Sequence, residues 1–286
     1  DGIIFPPQLS LEQSSSDKTA VYKSQLLKGE KFLDLTSGFG IDAYYLSENF
    51  NDITLVEQNP ELLKIVEHNW AVLGKKAKFI NQKLEDFLTQ NTESFDVIYL
   101  DPARRDHQKN KVFLLEDLSP NILEIQDNLL SISMQVVIKL SPLIDLKYLV
   151  SVLKNISRID ILAVKNDVKE IVVFLSKNHL GEIICNCVNL ESEENAYSFE
   201  INAEKNASAE YSEPQRFIYI PNNTILKAGV FNLISEKFQI KKLHSNTHLY
   251  TSEYEINNFP GRVFEMEVIE AKEIKKKEQF NIISKN

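Results

Sequence analysis

The chain has 286 residues, of which 43% are hydrophobic and 26% are charged, and its formal net charge is −9 at pH 7. This length accommodates two domains with sizeable cores, and the negative charge excludes a surface that is basic throughout, although a local basic patch would still suffice for nucleic acid. No apolar run approaches the roughly 20 residues of a membrane span and no signal peptide is visible, so we expect no membrane partner and a cytoplasmic location.

The two cysteines, Cys185 and Cys187, are separated by one residue. In a strand, positions i and i+2 point the same way, so this spacing suits neither a disulfide between the two nor a zinc site. We therefore expect two buried thiols in a reducing compartment. His244 and His248 are four residues apart, but they lie in a predicted turn that enters a strand, so we expect no metal site.

The first informative segment runs from Lys31 to Ala43. A short apolar run at residues 32–35 predicts a strand, and the pattern from Ile41 onward predicts a helix. Between them, Gly38 and Gly40 let the backbone pass close to a ligand. By itself this G-x-G-x-x-A pattern fits a structural turn as well as a cofactor loop. Asp34, at the strand end, would repel a pyrophosphate but suits the ammonium of an amino-acid moiety, such as that of S-adenosylmethionine.

This stretch resembles motif I of the class I S-adenosylmethionine-dependent methyltransferases. The resemblance implies a Rossmann-like α/β fold and S-adenosylmethionine as the cofactor. Glu57 ends the second predicted strand, where a nucleoside's ribose hydroxyls would arrive, and Asp86 resembles the residue that meets the adenine amino group. A helix-start acid is the alternative for Asp86. The predicted cofactor-binding residues are Asp34, Thr36, Gly38, Gly40, Glu57, Gln58, Asp86 and Phe87.

The second informative motif follows the predicted strand at residues 95–100 and reads Asp101-Pro102-Ala103-Arg104-Arg105. Ligands of open α/β sheets bind beyond the carboxyl ends of the strands, so Asp101 should face the same crevice as Gly38. The motif resembles motif IV of the amino-methylating enzymes, (D/N)PP(Y/F/W), in which the first residue and the backbone after the proline hold the target amino group.

Two positions depart from that pattern, because Ala103 replaces the second proline and Arg104 replaces the aromatic residue that stacks on the base. A guanidinium can stack on a base or bind phosphate. We therefore predict Asp101, Pro102 and Arg104 as catalytic residues, with Arg104 and Arg105 binding the substrate. A solvated charge pair beside Asp106 is the alternative for the two arginines.

The later strands complete the predicted sheet. Strands are predicted at residues 135–140, 158–164 and 170–175, and the link between the last two is too short for a crossover helix, so they should form an antiparallel hairpin. This matches the methyltransferase sheet, whose last strand is antiparallel. The predicted methyltransferase domain covers residues 1–178 with a lead-in at 1–29, in which residues 13–16 either cover the cofactor or belong to a solvated linker. Because the chain starts at Asp1 rather than at a methionine, an upstream domain is compatible with it.

Residues 179–286 are predicted to form a small α+β domain. The pattern gives a hairpin (181–190 and 196–201), a strand (217–220), a helix (224–238) and two strands (248–251 and 263–269). The domain resembles the THUMP-like domain attached to some bacterial methyltransferases, on the segments 219–221, 226–229, 249–252 and 259–262. THUMP domains bind RNA, so the resemblance implies an RNA partner, either ribosomal or transfer RNA. Lys272 and Lys275–Lys277 form either a basic strip or a solvated end.

Together these features predict a methyltransferase that modifies a base in RNA, at an amino group. Two other functions stay open: a methyltransferase for a small molecule or a protein, and an RNA-binding protein whose fold has lost activity, which the altered motif at Ala103 favours. A dehydrogenase is disfavoured by Asp34. The oligomeric state is not set by the sequence.

Overall fold

The computed structural model describes residues 2–5, 16–104 and 114–267. Nine of the described strands form the main sheet, and β5 and β6 form a separate two-stranded ribbon. In chain order the strands are β1 (Lys31–Asp34), β2 (Asp52–Glu57), β3 (Lys78–Asn81), β4 (Phe95–Leu100), β5 (Ala103–Arg104), β6 (Leu118–Ser119), β7 (Ser133–Leu140), β8 (Ile156–Val164), β9 (Asp167–Ser176), β10 (Ile184–Leu190) and β11 (Tyr197–Glu200).

The order across the main sheet is β11-β10-β8-β9-β7-β4-β1-β2-β3. Strands β1, β2, β3, β4 and β7 run parallel to one another, and β9 is antiparallel to both of its neighbours, β7 and β8. The predicted Rossmann-like sheet with a final antiparallel hairpin is therefore confirmed. The strand order reverses between β1 and β4, which opens a crevice at their carboxyl ends.

Six α-helices among the described residues accompany strands β1 to β8 of the main sheet. They are α1 (Asp17–Ser24), α2 (Ile41–Leu46), α3 (Pro60–Val72), α4 (Leu84–Gln90), α5 (Ile122–Ile132) and α6 (Leu146–Val152). Asn59 caps α3 by accepting from the N–H groups of Glu61 and Leu62, and Pro60 opens the first turn, where its missing N–H is not needed. Asn121 caps α5 by accepting a hydrogen bond from the N–H of Leu123.

Alternating side chains of the strands enter hydrophobic layers on the two faces of the sheet. On β1, Phe32 packs in the layer that contains Trp70, while its neighbour Leu33 packs in the layer that contains Ile98. This alternation is the period of two that a strand imposes on its side chains. None of the helices in the described ranges is long and apolar enough to cross a membrane.

The sheet continues past residue 178. Strand β10 pairs in parallel with β8 from Ile184 to Leu190, and β11 pairs antiparallel with β10, as the predicted hairpin requires. Cys185 and Cys187 are buried in β10 as free thiols. The predicted division of the chain at residue 178, which stays a prediction, would thus cut the main sheet between β9 and β10.

The C-terminal part contains a second, antiparallel sheet with two helices. Its strands are β12 (Phe217–Pro221), β13 (Lys241–Lys242), β14 (Tyr250–Ser252) and β15 (Gly261–Glu265), in the order β13-β14-β12-β15, and its helices are α7 (Asn223–Ala228) and α8 (Phe231–Phe238). The expectation of one helix from 224 to 238 is wrong, because Gly229 has a φ of 71° and ends α7 in the left-handed conformation.

Candidate active site

A cavity of about 890 Å³ opens at the carboxyl ends of β1, β2, β4 and β7. Its wall combines the segment after β1, the end of β2, and the segment after β4, so the two motifs predicted from the sequence share one cavity. Ser16, which precedes α1, also lines it; residues 13–15 of the predicted cover lie outside the described residues. The volume lies in the upper part of the usual range for small-molecule sites.

The two glycines after β1 serve different purposes. Gly38 has a φ of 51°, and an added Cβ would find only the Thr36 carbonyl oxygen, 3.8 Å away, so its open side faces the cavity. Gly40 has a φ of 75°, but an added Cβ would lie 2.8 Å from Val66 Cγ1 and 3.1 Å from Trp70 Nε1. Close approach to a ligand thus explains Gly38, whereas Gly40 allows α3 to pack against the turn.

Asp34 is 1% exposed at the end of β1, and its Oδ1 accepts a hydrogen bond of 2.9 Å from the Thr36 N–H. Burial raises the pKa of Asp34 well above its usual value; the Thr36 N–H opposes this, while the carboxylates of Asp42 and Asp101 add to it. A cationic group in the cavity would offset this cost, because an opposite charge favours the ionised carboxylate.

Glu57 holds the glycine turn in place. The Gly38 N–H donates to its Oε2 at 3.0 Å, and the Asn59 N–H donates to its Oε1 at 2.8 Å. Each carboxylate oxygen keeps a further lone pair, so Glu57 can still accept hydroxyl hydrogen bonds. Gln58, the next residue, is exposed and lines the cavity.

Ser37 is a site residue that the sequence reasoning missed. It is 6% exposed and lines the cavity, and its Oγ has no hydrogen-bond partner among the described residues. A buried hydroxyl without a partner is costly unless a ligand or water completes it. This atom, together with the open side of Gly38, fits a polar ligand at the glycine turn.

The cavity wall near α4 differs from the prediction. Gln82, Leu84 and Glu85 line it, whereas Asp86 is exposed outside the lining and Phe87 packs in the core at 7% exposure. The reason is helix phase: α4 begins at Leu84, and each residue turns about 100° from the one before it. The adenine contacts of Asp86 and Phe87 stay predictions, and Glu85 is the acidic residue of α4 that faces the cavity.

Asp101 follows β4 and lies at the same cavity as Gly38. Its N–H donates to Thr36 Oγ1 at 2.6 Å, and its Oδ2 lies 2.6 Å from Lys139 Nζ. Pro102 and Ala103 continue the wall. The backbone of Arg104 pairs with Leu118 in the ribbon formed by β5 and β6. The side chain of Arg104 and all of Arg105 lie outside what the structure describes, so their predicted roles stay predictions.

A buried ionic network, also missed from the sequence, lies beneath Asp101. Lys139 Nζ lies 3.3 Å from Asp42 Oδ2, and Lys23 Nζ lies 2.7 Å from Asp42 Oδ1 and 2.8 Å from Glu170 Oε1. Burial alone would lower the pKa of Lys139, but the carboxylates of Asp101 and Asp42 raise it above its usual value. The one available signal was Lys139 itself, a charged residue inside the apolar run at 136–140.

Comparisons with known proteins match both the main-sheet part and the C-terminal part of the chain. A family model described as conserved hypothetical protein 95 matches residues 18–130, and a model described as a ferredoxin-like domain matches residues 217–260. The crystal structure of a candidate methyltransferase from Porphyromonas gingivalis W83 has a TM-score of 0.86 to this chain and 32% sequence identity. The match covers 93% of this chain and 68% of that one.

Two curated proteins match shorter parts of the sequence. An uncharacterised RNA methyltransferase of Mycoplasma mobile is 32% identical over 92 residues, and the ribosomal RNA small subunit methyltransferase J of Psychrobacter cryohalolentis is 30% identical over 96 residues. The matches cover 32% and 28% of this chain, and 25% and 32% of the two relatives. The chain therefore spans a third or less of the curated relatives that it matches.

The sheet order and the cavity beyond β1 and β4 are those of the class I methyltransferase fold, a fold class whose cofactor is S-adenosylmethionine. Since the Porphyromonas gingivalis protein is 32% identical and more than two thirds of it is covered, the chain belongs to the same family.

Proposed function

We propose that the protein transfers a methyl group from S-adenosylmethionine to a nucleotide of RNA, at an amino group of the base. The observation that carries the proposal is that the glycine turn and Asp101 line the same cavity of about 890 Å³. S-adenosylmethionine supplies a methyl group that is already activated by its sulfonium. The protein's task is therefore mostly to bind and orient the nucleophile.

The cofactor half of the cavity is built from the segments after β1 and β2. Asp34, buried and with a raised pKa, suits the ammonium of the amino-acid moiety. The Oγ of Ser37 offers a hydrogen-bonding group to the same region, and Glu57 would accept the ribose hydroxyls with the lone pairs that its two N–H donors leave. The open side of Gly38 leaves room for the ligand between them.

The acceptor half centres on Asp101 and Pro102. A carboxylate beside the cavity can accept a hydrogen bond from an exocyclic amino group and so fix the direction of its attacking lone pair. The names of the two curated relatives support RNA as the substrate. We further propose that the C-terminal part, with its ferredoxin-like match at 217–260, is a THUMP-like unit that holds this RNA.

The test is transfer of a tritium-labelled methyl group to unmodified transcripts of ribosomal and transfer RNA, followed by digestion and mass analysis of the nucleosides. We expect one base-methylated nucleoside, and we expect it to vanish in Asp101→Asn while cofactor affinity is retained. A product on the ribose would contradict the amino-group assignment. Cofactor binding without transfer to any RNA would favour the inactive RNA-binding alternative, and transfer to a protein or small molecule instead would favour that second class of methyltransferase.

A further inference from the structure

Lys139, the buried lysine beside Asp101, has been assigned neither to the cofactor nor to the methyl acceptor. Lys139 is the penultimate residue of β7, and its side chain is 11% exposed. Its Nζ lies 2.6 Å from Asp101 Oδ2, a short charge-assisted contact. The Asp101 side chain is 35% exposed and lines the cavity, so it can contact a ligand there.

We propose that Lys139 is a positioning residue that holds Oδ2 of Asp101 and so presents Oδ1 to the methyl acceptor. This inference rests on the proposed function, since it assigns Asp101 to the acceptor. A carboxylate can rotate about its Cβ–Cγ bond and exchange its oxygens, and a fixed partner on one oxygen removes that freedom. The gain is in orientation, because a misplaced acceptor lowers the rate steeply.

Lys139 is itself held in place by its surroundings. Its second carboxylate partner, Asp42, lies in the first turn of α2, directly after the glycine turn. Asp42 also accepts from the Tyr99 hydroxyl at 2.8 Å and contacts Lys23, which in turn contacts Glu170 on β9. The ammonium of Lys139 thus lies between Asp101, which follows β4, and Asp42, which follows the glycine turn.

The contact between Lys139 and Asp101 also affects the protonation of Asp101. Burial raises the pKa of Asp101 above its ordinary value, and the Lys139 ammonium opposes part of this rise. Four other charged groups face the pair from α1, α2, β1 and β9: Lys23, Asp42, Asp34 and Glu170. Three of these four are carboxylates. Without Lys139, the ionised form of Asp101 would therefore face mostly like charges in a partly buried site.

The experiment compares Lys139→Gln, which removes the charge but keeps an N–H donor, with Lys139→Arg, which keeps the charge. Transfer to unmodified ribosomal and transfer RNA transcripts is measured as kcat/KM against pH. We expect the acid limb of Lys139→Gln to move up by about one pH unit or more, so that its activity falls about tenfold at pH values below both limbs and recovers at higher pH. Lys139→Arg should keep the wild-type limb. A merely structural loss would lower the rate equally at every pH and would overturn the proposal.

A second measurement does not depend on RNA. Selective ¹³C labelling of aspartate carboxyls, with Asp101→Asn to identify the signal, follows the titration of Asp101 directly. We expect that signal to titrate at higher pH in Lys139→Gln than in the wild type, and unchanged titration would overturn the proposal. If the wild type transfers no methyl to RNA yet this shift is seen, the proposed function fails while the contact between Lys139 and Asp101 stands.

The matched control is Lys31→Gln, because Lys31 pairs with Glu93 at the opposite, amino end of the sheet. It should leave both the pH profile and the Asp101 signal unchanged. If Lys139→Gln does not fold, as judged by circular dichroism, Lys139→Arg decides the matter. A retained charge should then keep the Asp101 titration of the wild type, and a displaced titration in that folded variant would refute the assignment.

Discussion

The two glycines after β1 give a sharp test of how the structure assigns their roles. In Gly40→Ala, the new residue would need a φ of 75°, which costs an L-residue about 1–2 kcal/mol. Its Cβ would also lie 2.8 Å from Val66 Cγ1, and such overpacking adds about 1–3 kcal/mol. We therefore expect Gly40→Ala to lower the free energy of unfolding by about 2–5 kcal/mol.

Gly38→Ala should behave differently, although its φ of 51° is similarly unfavourable. No atom lies within 3.4 Å of the added Cβ, so the loss of unfolding free energy should stay near the backbone cost of about 1–2 kcal/mol. The added carbon instead enters the cavity, where it should weaken S-adenosylmethionine binding by about tenfold, or about 1.4 kcal/mol.

Urea denaturation measures the stability of both variants, and calorimetric titration measures the cofactor affinity of Gly38→Ala. Wild-type protein is the reference in each case. Equal stability losses for the two variants would refute the packing role of Gly40. Full cofactor affinity in a folded Gly38→Ala would refute the close approach of a ligand to that turn.

Three further predictions concern the cofactor half of the cavity. Calorimetry should show micromolar binding of S-adenosylmethionine, about −8 kcal/mol. It should show no binding of NAD, because the Asp34 carboxylate would repel the pyrophosphate. NAD binding without a response to S-adenosylmethionine would contradict the assignment. Glu57→Ala should weaken cofactor binding by about 1.5–3 kcal/mol, through the lost ribose contacts and the released Gly38 N–H, and unchanged affinity in a folded variant would place the ribose elsewhere. Asp34→Asn should be more stable than the wild type at pH 8, and this difference in unfolding free energy should be smaller at pH 5. The same substitution should weaken cofactor binding. The sign follows from the raised pKa of Asp34 in the folded state: the unfolded state releases that proton first, so wild-type stability falls as the pH rises above the unfolded value. Urea titrations at the two pH values check this, and a pH-independent difference between the two proteins would contradict it.

The fold was largely predictable because its signals are local. The apolar run at β1, the glycine turn and the helix after it occur within about a dozen residues, and the short link between β8 and β9 permits only a hairpin. Gly229 was also a local signal, because glycine commonly ends helices in the left-handed conformation. The apolar pattern on both sides of Gly229 nevertheless led to the prediction of one continuous helix over residues 224–238.

The parts of the site that were missed depend on contacts between distant segments. Lys23 precedes the first motif and Glu170 lies on β9, so nothing in either segment indicates that they meet at 2.8 Å under the cavity. The choice between Glu85 and Asp86 depends on the first residue of α4, and sequence patterns locate helix ends poorly. Ser37 had no signal at all, because an unpartnered hydroxyl is visible only once its neighbours are placed.

The pairing of β10 with β8 matters to anyone who divides the chain for expression. A truncation after residue 178 would remove β10 and β11 and leave β8 as an open edge from Arg158 to Val164, with apolar residues such as Ile159 and Ile161 losing their cover. A long unpaired edge of this kind invites association with other chains. In the remaining piece, from residue 179 onward, Cys185 and Cys187 would be exposed to oxidation, although both are buried in the intact sheet. A cut in the segment between β11 and β12 would leave the hydrogen bonding of both sheets whole.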